Sequence, residues 1–282
     1  MRLKSALRRG VAAAVIAGIV VSSGIPAYAA QWDIADGDIT VKAGDAEGKN
    51  KVSQGETIDK DDTNTVITGK SDKNTVTIDT SEGNVDVTFD DLKIDVSGKK
   101  EGDGSGDSPV DAGKAAVTVQ GDHDATIELD GKNELKSGSY NAGLEKDGHE
   151  PEGTLTIKDD KGKDGSLTAE GGFGGAGIGG GIESTGSNIT IRGGTIEAVG
   201  GSNAAGIGDG AGTEGREIDP DAPPSNPDNP NHIIISGDAE VEAKAGASTG
   251  GKTAAIGGGI VGEIPNDALS DDDHKVTGGS LT

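Results

Sequence analysis

The stretch GSNITIRGGTIEAVGGSNAAGIGDG, residues 186–210, decides how this chain folds. It holds three short apolar runs separated by Gly, Asn and Ser, and polar residues alternate with apolar ones inside the runs. Alternation of period two marks a strand with one buried face; a helix would repeat every three or four residues. In Ile189-Thr190-Ile191 both isoleucines face one way and Thr190 the other. In Thr195-Ile196-Glu197-Ala198, Ile196 and Ala198 take the inner side while Glu197 faces water. The intervening glycines reach backbone angles that other residues avoid, so they permit corners.

The phrase recurs. Asn188-Ile189-Thr190-Ile191 matches Thr154-Leu155-Thr156-Ile157, 34 residues earlier, and His232-Ile233-Ile234-Ile235, 44 residues later. A second element returns as Ala176-Gly177-Ile178-Gly179, Ala205-Gly206-Ile207-Gly208 and Ala254-Ala255-Ile256-Gly257, with a weaker copy in Ala142-Gly143-Leu144-Glu145. Four earlier segments alternate without the glycines, around Val76, Val87, Val117 and Ile127. Periods of this size signify stacked repeats. Three strands joined by corners form one coil, and stacking the coils pairs each strand with its copies above and below. The expected fold is all-β, a parallel β-helix with a thin apolar interior.

Composition fits a narrow tube better than a globular core. Gly supplies 50 of 282 residues, and beyond residue 29 the aromatics are Trp32, Phe89, Tyr140 and Phe173. A disordered acidic chain would share that composition, but it has no reason to keep Ile at matched positions in successive repeats.

Residues 1–29 read as an export signal. Arg2, Lys4, Arg8 and Arg9 precede an apolar run from Val11 to Val21, and Ala27-Tyr28-Ala29 places small residues where a signal peptidase cuts. That run is too short to span a bilayer, which takes about 20 apolar residues. Export leaves residues 30–282 as one secreted domain, with 21 basic against 49 acidic residues and a formal charge of −28. Such a surface repels nucleic acid and anionic lipid, so neither is an expected partner, and no membrane insertion of the mature chain is expected. The absence of cysteine excludes a disulfide framework and thiol chemistry.

Lengths vary after the small-Gly-Ile element. The longest excess, a loop insertion at about 211–231, holds five of the nine prolines. Insertions at one point of a repeat project from one edge of the stack. The last residues, Gly278-Gly279-Ser280-Leu281-Thr282, copy the start of Gly165-Ser166-Leu167-Thr168 and stop. Natural repeat proteins cap an apolar end, so the β-helix is expected to be incomplete at its C-terminus, with a further module or surface anchor following.

The phrases at 186–191 and 205–208, the segments Leu144-Glu145-Lys146 and Gly153-Thr154-Leu155-Thr156-Ile157-Lys158-Asp159-Asp160, and the start Trp32-Asp33-Ile34 together carry a resemblance. They resemble a family of secreted carbohydrate-binding domains from Gram-positive bacteria that live on plant fibre. The likeness covers essentially the whole mature chain. It implies a right-handed parallel β-helix shaped like the pectate lyases, containing calcium and binding polysaccharides such as cellulose or polygalacturonate. No residue-level sugar motif comes with it.

The residues bear on that expectation unevenly. Pyranose faces stack on exposed Trp or Tyr, which nominates Tyr140, in the turn Ser137-Gly138-Ser139-Tyr140-Asn141, and Trp32, which also suits capping of the first coil. A polyuronate would need a divalent ion to bridge it to so acidic a protein, and calcium takes six to eight oxygen ligands. Asp103, Ser105 and Asp107 place oxygens at alternate positions of a Gly-rich loop, and Asp160 and Asp164 flank a turn. Each also fits a plain solvated turn.

Two other classes remain open. A spacer that holds another module away from the cell needs no ligand at all. A calcium-dependent lyase would need an arginine base, for which the mature chain offers Arg192, at an outward repeat position, and Arg216, in the long insertion. His123, His149, His232 and His274 share no ligand spacing, and no catalytic residue is assigned.

Overall fold

The computed structural model describes residues 30–98, 113–146, 153–162, 164–186, 188–212, 233–248 and 253–257. Its architecture is all-β: large parallel sheets curl into a half-barrel, and the helical content of the described residues is one 3-10 turn, Ile34–Asp36. The form is compatible with a solenoid.

The strands fall into three files. The first stacks Ala125–Asp130, Leu155–Lys158, Ile189–Ile191 and Ile233–Ile235, all parallel. Its register puts Ile127, Ile157, Ile191 and Ile235 one above another, with Ala125, Leu155, Ile189 and Ile233 as a second column. The second file stacks Lys132–Lys136, Ser166–Glu170, Thr195–Val199 and Glu240–Lys244. Here Leu135, Ala169, Ala198 and Ala243 form the inner column. The phrases matched in the sequence are therefore neighbours in space, and Glu197 points outward between buried Ile196 and Ala198 as the alternation requires.

Both files meet in one long strand, Val85–Asp95, which serves the first with its front half and the second with its rear and itself stacks on Thr65–Ser71. It turns the corner at Asp91, in the left-handed region at φ 51°, and Gly131 turns the equivalent corner one coil later at φ 62°. Asn133 fastens this corner from inside. Its Oδ1 accepts the Leu92 amide at 2.9 Å, and its Nδ2 donates to the Asp130 and Ser166 carbonyls at 3.1 and 3.0 Å. A buried amide that satisfies three backbone groups removes the cost of corners that break the ladder.

The third file is the deepest. Ile39, Val76, Val117, Leu144, Ile178, Ile207 and Ile256 lie in one continuous register across seven strands. Two of the four early alternating segments, around Val76 and Val117, belong here with the glycine-bearing element; those around Val87 and Ile127 belong to the first file. Six of the seven column residues are buried and Ile256, in the last described coil, is half-buried.

The first coil is closed by an antiparallel hairpin, Asn50–Gln54 with Thr57–Asp62, laid beside Ile39–Ala43. Trp32 sits under it. Its indole N–H donates to Asp62 Oδ2 at 2.8 Å and the Lys60 ammonium lies 5.4 Å from the ring centroid. On the outer faces, ion pairs join successive coils: Lys93 to Glu134 at 2.6 Å, Lys136 to Glu170 at 2.7 Å and Lys244 to Glu197 at 2.7 Å. Exposed pairs of this kind contribute little each, so the stack rests on its apolar columns and axial backbone bonds.

One outer column works against the fold. Asp90 and Asp130 are register neighbours on adjacent strands. Partial burial, and then the facing charges of Asp130 and Asp91, hold the Asp90 carboxyl above its ordinary range. Asp130 is raised likewise by partial burial and then Asp164. A folded-state pKa above the unfolded value means the folded chain holds the proton more tightly. These groups therefore detract from stability at neutral pH, and the loss is recovered as pH falls through the raised values. Asp130→Asn is expected to raise the melting temperature at pH 7 and to leave it unchanged at pH 3, where the wild-type carboxyl is already neutral. An equal effect at both pH values would assign the change to packing.

Candidate functional site

The sequence-nominated residues do not assemble into one site. Asp103, Ser105, Asp107 and Arg216 lie outside the described residues, as do His149, His232 and His274 and most of the 211–231 insertion.

Trp32 is not a stacking platform. It is 7% exposed, its N–H donates to Asp62 and the Lys60 ammonium lies over its ring, so it packs under the closing hairpin, which suits the capping role.

Asp160 and Asp164 do not form a calcium loop with their neighbours. Their turn is held from below by Glu128, buried at 3% exposure, whose Oε1 accepts the Asp160 and Lys161 amides at 2.8 and 2.7 Å. Glu128 Oε2 lies 3.3 Å from Lys158 Nζ, and that ammonium lies 2.9 Å from Asp160 Oδ2. The hydrogen bond to Asp160, followed by the Glu128 charge, pushes the Lys158 pKa up. Arg192, half-exposed, stands 3.7 Å from the same Asp160 oxygen. A carboxylate already neutralised by two cations is a poor ligand for a third. Among the described residues no three His, Asp or Glu side chains come together as a metal-ligand set.

Tyr140 is where the structure gathers a surface of its own. It occupies the turn between the second and third files, in the left-handed region at φ 75°. Gly174 and Asn203 hold the equivalent place in the next two coils, at φ 78° and 64°. Tyrosine is an uncommon occupant of that conformation, and the turn is over-determined by hydrogen bonds. The Tyr140 amide donates to the Phe173 carbonyl at 2.7 Å and the Tyr140 carbonyl accepts the Ile182 amide at 2.8 Å. Asn141 Nδ2 donates to the Gly113 and Ser139 carbonyls at 2.9 and 2.8 Å.

Phe173, one coil above, completes the surface. It is 48% exposed, and its ring centroid lies 6.1 Å from that of Tyr140 at an interplanar angle of 69°, edge to face. Ile182 lies beside Gly174, where an added Cβ would meet its Cδ1 at 3.1 Å. Glycines occupy positions 172, 174, 175 and 181 around the pair. Glu145 reaches the edge of the turn, accepting the Ala142 amide at 3.0 Å, and Glu183 follows Ile182.

The chain-level reading passed over Phe173 because it stands inside a glycine phrase. The signal was the period. Phe173 follows Ser139 by the same 34 residues that separate the two Ile phrases, which puts it beside Tyr140 once the coils stack.

Among the described residues no helix is long and apolar enough to cross a membrane. Comparison with protein-family models, with curated proteins and with solved structures finds no match for this chain.

Proposed function

We propose that the chain is a secreted, non-catalytic polysaccharide-binding domain built as a right-handed parallel β-helix, with the Tyr140–Phe173 corner as its contact surface. The observation that carries this reading is an exposed Phe173 set edge to face against a half-buried Tyr140, 6.1 Å apart on a hydrogen-bonded turn of an otherwise aromatic-poor surface. An exposed phenylalanine covers no core of this protein. Paired with a tyrosine that keeps a polar tip, it offers an apolar face for the C–H side of a pyranose and a hydroxyl for its rim. The export signal and the acidic, solvated surface fit a protein that works outside the cell among plant cell-wall glycans.

The calcium-assisted form of the reading, with retention on polygalacturonate, rests on Asp103, Ser105 and Asp107 and takes no step through the described residues. Retention on immobilised cellulose and polygalacturonate, measured with calcium and with a chelator, tests both parts. Binding to at least one polymer is expected, and binding to non-crystalline cellulose, whose chains are free, is expected to fall about tenfold when Phe173 is replaced by Ser, the residue at the matching place in the next coil (Ser202). Equal retention with calcium and chelator ends the calcium part alone. No retention on any polymer ends the reading and leaves a spacer.

A further inference from the structure

The aromatic corner has a shape that selects among polysaccharides, and we infer that it takes one pyranose of a single, uncharged, solvated glycan chain rather than a crystalline polymer face or a polyuronate. This rests on the polysaccharide reading above.

The two rings meet at 69°, so they cannot both lie under one flat ribbon of sugars. A crystalline face is planar over many residues and is held by aromatic rings that share its plane. A T-shaped pair instead offers one ring face as a floor and the other ring as a wall. The half-buried Ile182 is tied to the same turn by the bond of its amide to the Tyr140 carbonyl. To seat against both rings the sugar must present a face and an edge together. Only a chain free in solution, or a chain end, exposes both.

Charge supplies the second half. Glu145 and Glu183 stand at the turn against one neighbouring lysine, Lys114, whose carbonyl accepts the Gly138 amide, and the chain as a whole carries a formal charge of −24. A uronate carboxylate brought to this corner meets like charge, with no metal-ligand set among the described residues to bridge it. An uncharged hexose meets none of that repulsion.

The stack itself supplies variants that preserve the turn. Tyr140→Asn installs the residue found at the equivalent left-handed position, Asn203, and Phe173→Ser installs the equivalent of Ser202. Titrations of the full chain with a soluble cello-oligosaccharide, with microcrystalline cellulose and with polygalacturonate, each repeated with both variants, test the inference. Circular dichroism confirms that the variants fold. The expected result is saturable binding of the soluble oligosaccharide, weakened about tenfold by either substitution, with retention on the crystalline polymer and on polygalacturonate unchanged by both. Retention on crystalline cellulose that is lost with Phe173→Ser while the soluble oligosaccharide does not bind overturns the inference and leaves the polysaccharide reading standing. Binding of polygalacturonate that falls with either variant overturns the choice of an uncharged ligand. Absence of binding to all three removes both.

Discussion

Gly201→Ala is expected to destabilise the fold by about 3 kcal/mol, an unusually large effect for adding one methyl group. The cause is space. A Cβ on Gly201 would fall inside the envelope of the Gly172 carbonyl, one on Gly172 inside that of Gly138, and one on Gly246 inside that of Gly201. Four coils thus present glycine at one place, each backbone lying directly against the next. None of these contacts is to the far end of a flexible side chain that could swing aside, so a methyl group there must separate two coils and stretch their hydrogen bonds. Gly98, whose added Cβ would meet nothing within 4 Å, is the control, with an expected change within about 0.5 kcal/mol. Chemical denaturation of the two variants measures the contrast. A Gly201→Ala protein as stable as the wild type would mean the coils sit further apart than described.

The second large effect belongs to the inner column. Ile191→Ala is expected to cost about 3 kcal/mol, within the span observed for truncating buried aliphatic side chains. Ile191 is fully buried between Ile157 below and Ile235 above. A tube one side chain wide offers few neighbours able to collapse into the gap, which keeps the cavity open and the cost high. Because each coil touches only the two beside it, the loss also weakens the coupling of everything above. Ile235→Ala removes the same atoms from a half-buried position in the last described coil, and less than half the effect is expected there. Equal losses at the two positions would contradict a column closed at one place and open at the other.

How much of this was readable from residues alone depends on the kind of information. The Ile phrases were legible because identical requirements recur: an inward position in a stacked strand wants a mid-sized apolar residue in every coil. Their register in the first file follows the matches found at 34 and 44 residues. Corners were legible as glycine but not as specific angles, since Asp91 and Tyr140 turn the same way without one. The closing hairpin at 50–62 was not legible, because it occurs once and a repeat search sees only what returns. Glu128 was hidden for a different reason. Its sequence position reads as an outward residue, and only the folding of a later turn across it buries it. Phe173 shows the intermediate case, in which the period contained the answer but the residue looked incidental until the coils were superposed.

The axial ladder has a consequence for how such a chain can change. A whole coil hands upward the same donors, acceptors and apolar cross-section that it receives from below, so gain or loss of a complete unit such as 166–194 preserves every interface and alters only the length of the rod, by about 4.8 Å. Loss of a single residue inside a strand does the reverse, turning each later side chain of that strand to the opposite face. Growth by duplication is therefore nearly neutral for this architecture while a one-residue slip is ruinous, and the uneven lengths between copies fall at the corners, where neither rule is broken.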